Sequence, residues 1–177
     1  MKYLKTVDDY LDDYLHKLDE AFDNPLPITW TSSGNFIYGY FKIGEKEYQI
    51  EAHFIINDFM TFKFKIKKCD DYSTELVNDG SNDYIRVIPT IKEALLYLLD
   101  VLKPNGVIFA AMDASNGRKF VYDRFIVDYI KNNELYNGYS NFFRGAKIYT
   151  IYLKTIGKDI PSETLKFVIE NTEDLYH

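Results

Sequence analysis

A chain of 177 residues is long enough to bury a core, and a hydrophobic content of 46% argues against disorder. A formal net charge of −6 argues against non-specific binding to nucleic acid, which needs Lys and Arg to neutralise phosphates, and leaves open only a local basic patch. A lone cysteine, Cys69, excludes an internal disulfide and a CxxC metal site, and His16, His53 and His177 stand too far apart for a ligand pattern, so no metal is expected.

The amino terminus is too charged for the apolar core of a signal peptide, and no apolar run nears the ~20 residues of a bilayer span. A soluble, cytoplasmic protein without a membrane partner is expected. No repeat, low-complexity tract or linker divides the sequence, so one domain over residues 1–177 is expected. Sixteen Tyr and thirteen Phe favour strands and a sticky surface.

Residues 6–22 predict an amphipathic helix: Val7, Leu11, Tyr14, Leu15, Leu18 and Phe22 recur three and four apart among aspartates. Asn24, Pro25, Leu26 and Pro27 end it. Three strands follow, over 36–43, 47–56 and 60–67. Gly44 and Glu45 form a two-residue turn that sets Phe41 opposite Tyr48, Gly39 opposite Ile50 and Ile37 opposite Ala52, gathering one apolar face. For the third strand to keep its apolar face beside Ile50, Ala52 and Phe54, the next connection needs an odd number of residues, which Asn57, Asp58 and Phe59 supply. The opposite face carries Phe36, Tyr38, Tyr40, Gln49, Glu51, His53, Lys63 and Lys65, with Glu51 opposite Lys65 and His53 opposite Lys63. It reads as a wet sheet face with charge pairs, or as a substrate floor on which Glu51 or His53 is a general base.

Residues 69–83 read as a loop, and Pro89 is placed in the first turn of the next helix. Ile91, Ala94, Leu95, Leu98, Leu99 and Leu102 give that helix a broad apolar stripe, which Lys103, Pro104, Asn105 and Gly106 stop. The continuous apolar run 107–112 predicts a strand covered on both faces. Asp113 to Arg118 then form a polar loop at the carboxyl end of that strand, where α/β proteins tend to hold ligands. Another helix carries Val121, Tyr122, Phe125, Ile126 and Tyr129. Residues 132–145 read as a loop rich in Asn, Gly, Tyr and Phe, 147–154 as a strand, and Ser162 as the cap of a last helix with Leu165, Val168 and Ile169.

Helix, antiparallel meander, buried helix, central strand, helix and strand in that order resemble the GNAT family of N-acetyltransferases. The stretches NDGSNDYIRVIPTI, KPNGVIFAA and GRKFVYDRF are similar, more narrowly, to small tailed-phage proteins of GNAT-like build. The resemblance implies an α/β (α+β) fold: a GNAT-like mixed sheet with a meander, flanking helices and an additional carboxyl-terminal helix. It also implies an acyl-CoA site at the start of the buried helix, involving Gly80, Arg86, Ser115 and Arg118. Tyr122 takes the place of the acid that protonates the departing thiolate, and Ser115 stands where the family usually has Asn.

The family's phosphate loop holds pyrophosphate on glycine-freed backbone N–H groups. Here Asp79 to Arg86 has one glycine, Gly80, and two nearby acids, which repel phosphate. No Walker loop, G-x-S-x-G or HExxH motif is present. The residues therefore favour a non-catalytic module that binds a host or virion protein, with no cofactor, through Tyr139, Phe142 and Phe143. The alternative is an acetyl-CoA- or acyl-CoA-dependent N-acyltransferase with Tyr122 as acid and Glu51 as base.

Overall fold

The computed structural model of the chain describes residues 24–68, 71–73, 83–112, 123, 133–157 and 159–171. Its strands are β1 (Thr29–Ser33), β2 (Phe36–Ile43), β3 (Lys46–Phe54), β4 (Phe59–Lys68), β5 (Asp71–Ser73), β6 (Gly106–Met112), β7 (Tyr136–Phe143) and β8 (Ala146–Leu153). Two helices are described in full, α1 (Tyr84–Leu102) and α2 (Asp159–Asn171). The strands form one sheet in the order β1-β2-β3-β4-β6-β8-β7, with β5 paired to β4. Among the described strands only β4 and β6 run parallel, and α1 is part of the crossover that parallel neighbours require. The class is α+β. The helix expected over 6–22 and the one expected after β6 lie outside the described residues.

Strand alternation divides the sheet into two faces with different partners. On one, Phe41, Tyr48, Ile50, Ala52, Met60, Phe62, Val107, Phe109, Tyr149 and Ile151 pack with Val87, Ile91, Ala94, Leu95, Leu98 and Leu99 of α1. On the other, Phe59, Ile108 and Ile148 pack with Leu165 and Val168 of α2. The apolar run of β6 follows from this: Val107 and Phe109 face α1 while Ile108 faces α2, all 4% exposed or less. Each such side chain stabilises the fold by about 1.5–3 kcal/mol.

The β2–β3 hairpin has the expected register, including Phe41 opposite Tyr48 and Ile37 opposite Ala52. The β3–β4 connection differs. It runs from Ile55 to Phe59, with Asn57 and Asp58 at φ 57° and 55°, the left-handed region that Asn and Asp tolerate best. Its parity stays odd, so the apolar faces still coincide. Its extra length shifts the pairing by two, however: Glu51 faces Lys63 and His53 faces Thr61, not Lys65 and Lys63.

One strand lies outside the expected elements, and three expectations are corrected. Residues 29–33 form β1, joined to β2 by a Gly34–Asn35 turn. Residues 71–73, read as loop, pair with the end of β4 as β5. The helix α1 begins at Tyr84, so Pro89 lies beyond the first turn. There Thr90 donates its hydroxyl to the Arg86 carbonyl at 2.6 Å while accepting the Leu26 backbone N–H at 2.9 Å. In α2 the helix starts at Asp159, placing Ser162 inside the first turn and not at the cap.

The largest correction concerns residues 132–145. Residues Tyr136–Phe143 form β7, hydrogen-bonded along its whole length to β8 through a turn at Arg144 and Gly145. Both turn residues have positive φ, 48° and 78°, the geometry that matches the twist of a two-residue hairpin.

Small residues set the close approaches. Gly106 opens β6 between β4 and β8, and a Cβ there would meet the Ile151 carbonyl and the Phe59 ring at 2.4 Å each. Asn105, one residue earlier, donates its side-chain amide to the Asn57 carbonyl at 3.0 Å and its backbone N–H to the Asp58 carbonyl at 2.9 Å. Asn57 in turn donates to Thr164 of α2 at 2.9 Å. These bonds fasten the β3–β4 turn, the start of β6 and α2 together.

Candidate functional site

Three regions carry polar or aromatic chemistry. The first is the α2-side face of β2, β3 and β4. Phe36, Tyr38 and Tyr40 stand in a row along β2, with ring centroids 6.1 and 6.5 Å apart. Beside them Gln49 donates to the Tyr40 hydroxyl at 3.1 Å. The Glu51 carboxylate is held by the Lys65 ammonium at 2.7 Å, reached diagonally across the ladder. That bond occupies the carboxylate proposed as a base.

His53 is differently placed. Its Nδ1 is hydrogen-bonded to the fully buried Thr61 hydroxyl at 2.7 Å, and its ring packs on Phe36 at 4.9 Å. Burial lowers its pKa below the ordinary 6.5; Glu51 pulls the value back up and Lys63 pushes it down. Burial thus favours the uncharged imidazole, which Thr61 and Phe36 hold in one orientation. The sequence placed it on the right face but against the wrong partner.

The second region is the start of α1. Arg86 is exposed in the first turn. Asp83, at the N-cap position, makes no side-chain cap; its carboxylate instead accepts from Lys46 at 2.6 Å and lies 3.4 Å from the Tyr48 hydroxyl. An acid therefore stands at the end of the helix where the macrodipole would draw a phosphate, partly offset by Lys46. Gly80, Asp113, Ser115, Arg118 and Tyr122 lie outside the described residues, as do Cys69 and Arg124. Asp123, next to Tyr122, is described: its carboxylate accepts from Lys147 and from the Tyr149 hydroxyl, the latter at 2.9 Å.

The third region is the β7–β8 hairpin, where alternation separates the three aromatic residues expected to act together. Tyr139 and Phe143 turn toward α2 and pack against Ile108, Ile148 and Leu165, so they are half-buried. Burial raises the Tyr139 pKa above 10; the Thr150 and Ser162 hydroxyls stand close enough to moderate that shift, yet neither reaches hydrogen-bonding geometry with it. Phe142 points to the opposite face and is 61% exposed. Lys147 Nζ lies 5.6 Å from its ring centre, and the Arg144 guanidinium lies 5.1 Å from that of Phe143. Of the three, Phe142 alone is largely exposed.

Among the described residues no group of three or more His, Cys, Asp or Glu side chains is placed to hold a metal ion, and no helix is long and apolar enough to cross a membrane. No protein-family model matches the chain, and a search of curated proteins finds no similar sequence.

Proposed function

We propose that this chain is a non-catalytic protein-binding module of GNAT-like build, phage-encoded and acting on a host or virion protein, with the β7–β8 hairpin as its docking edge. The observation that carries this reading is Phe142. A phenylalanine 61% exposed near a hairpin tip, with the Lys147 ammonium beside its ring, has the make-up of an interface anchor. It belongs to a strand that ends the sheet order and carries no charged residue, so a partner segment can add to its edge by main-chain hydrogen bonds. Arg144, exposed in the turn, favours an acidic segment. The GNAT-like build is supported by the meander, the α1 crossover and the single parallel pair β4–β6. Affinity capture from host lysate with wild-type protein and with Phe142→Ala tests the reading. A partner retained by the first and lost by the second is expected; identical captured sets would count against it.

One observation favours the alternative, an acyl-CoA-dependent N-acyltransferase. The parallel strands β4 and β6 pair only from Phe59 to Thr61, and β5 takes the same edge of β4 again at Ile66. A stretch of β4 edge between them has no strand partner among the described residues, next to the crossover helix. Acetyl-CoA titration followed by thermal unfolding separates the readings. At a ligand concentration of 100 times Kd, binding to the folded state stabilises by about 2.7 kcal/mol. A saturable shift of that size would favour the transferase, with Tyr122→Phe lowering turnover.

A further inference from the structure

Two hydroxyls on the α2 side of the sheet, those of Tyr139 and Thr150, are buried and make no hydrogen bond to the described residues. Their positions are linked by register. Tyr139 of β7 lies directly opposite Thr150 of β8, whose neighbour on the other side is Ile108 of β6. Strand alternation turns both side chains toward α2. There Thr150 is 0% exposed, and Tyr139 packs on the cluster of Ile108, Ile148, Leu165 and Val168. The Tyr152 ring meets the Tyr139 ring edge-on, with centroids 6.0 Å apart.

A hydroxyl buried among such groups loses its hydration and recovers nothing unless a partner replaces it. Valine at 150 and phenylalanine at 139 would fill nearly the same space with no polar atom. Each hydroxyl offers one donor and two acceptor positions, so the pair can serve a shared third group from two strands. The Ser162 hydroxyl, in the first turn of α2, stands close to Tyr139 as well. Three hydroxyls from three elements therefore converge beneath the edge of the sheet.

The chemistry of these groups selects the ligand. Among the described residues, those that act on the Tyr139 hydroxyl are Thr150, Ser162 and Tyr152, none of them a cation at neutral pH. An anion would be stripped of its hydration with no opposite charge beside it. A metal ion would find neutral hydroxyls where a hard cation takes carboxylates and carbonyls. A water molecule needs neither, and a buried one makes about three hydrogen bonds, as donor and as acceptor.

We propose that Tyr139, Thr150 and Ser162 bind one internal water molecule, which ties β7 and β8 to the first turn of α2. The water replaces the hydration that Tyr139 and Thr150 lose on folding, at little entropic cost. It also gives the outermost strand β7 a polar fastening to α2 beside its apolar one. Tyr139 and Phe142 point to opposite faces of β7, so the site does not depend on what that strand binds.

Oxygen-17 relaxation dispersion of the full chain tests the proposal. It counts waters held longer than the chain's tumbling time and is blind to hydroxyl protons. Folded chains hold several buried waters, so the difference between variants is what is read. Thr150→Val and Tyr139→Phe should each remove one long-lived water, and the double variant should remove no more than either alone. Thr150→Ser keeps a hydroxyl and should keep the water. Thr90→Val is the control: its hydroxyl bonds directly to protein groups, so the count should not change. Urea midpoints give a second readout. Each single variant should lower the midpoint, and the double should lower it by less than the sum. Either single variant decides the question if the other does not fold, as judged by far-ultraviolet circular dichroism. Equal water counts in wild type and Thr150→Val would overturn the proposal. So would a raised midpoint in Thr150→Val, the mark of a hydroxyl buried with no partner at all.

Discussion

His53 is the side chain whose environment leads most directly to a measurable consequence. Burial holds its folded-state pKa below 6.5, so below that pH the unfolded chain binds more protons than the folded one. The stabilising contribution is complete above 6.5 and is lost as pH falls through the folded value. Urea unfolding between pH 7.5 and 5 should show stability declining from about pH 6.5, and the His53→Gln variant should decline less over that interval. Equal slopes would mean that other groups set the acid limb. Gly106 makes a steric prediction. With a carbonyl oxygen and a ring edge at 2.4 Å from an added Cβ, Gly106→Ala cannot be relieved by a side-chain rotation alone. A loss of about 3 kcal/mol or more is expected, a fall in melting temperature of about 6–12 °C.

At the scale of elements, the two helices are fastened in different ways. The helix α1 is held by its apolar stripe and by Thr90, whose hydroxyl joins the Arg86 carbonyl to the Leu26 N–H. Thr90→Val preserves the shape and removes both bonds, at an expected cost of about 1 kcal/mol in chemical denaturation. The shorter α2 is held by Leu165, Val168 and the Asn57–Thr164 bond. Val168→Ala should cost about 2 kcal/mol and increase hydrogen exchange along α2 ahead of α1; uniform loss of protection would contradict this division.

The same scale shows what the sequence made legible. The β2–β3 hairpin was readable because alternation is strict and Gly44 and Glu45 mark its turn. The helix α1 was readable from its stripe, and β6 from an apolar run whose two faces meet different helices. For β1 the cue was present in Gly34 and Asn35, a two-residue turn after Trp and Thr, but a mostly exposed edge strand needs only Trp30 to pack and shows little apolar patterning. For β7 the difficulty is chemical. Tyr136 and Phe142 face one side and Tyr139 and Phe143 the other, with Asn, Gly and Ser between, so neither period dominates. The β3–β4 register depended on two left-handed residues, Asn57 and Asp58, that lengthen a turn without changing its parity. Of the candidate site, Glu51, His53, Arg86 and Phe142 could be located; the bond from Glu51 to Lys65 and that from His53 to Thr61 arise from tertiary register, which sequence spacing alone leaves open.

At the scale of the molecule, the sheet has α1 on one side, α2 on the other and two uncharged edge strands at its ends. The proposal places a partner protein at the β7 end. The central claim is that Phe142 anchors a protein partner, and the affinity of the captured partner for wild type and for Phe142→Ala tests it most directly. Because Phe142 is exposed, its removal should change folding stability by no more than about 0.5 kcal/mol. Calorimetric titration should show Kd rising at least tenfold, equivalent to about 1.4 kcal/mol of binding energy. An unchanged Kd in an equally stable variant would contradict the account.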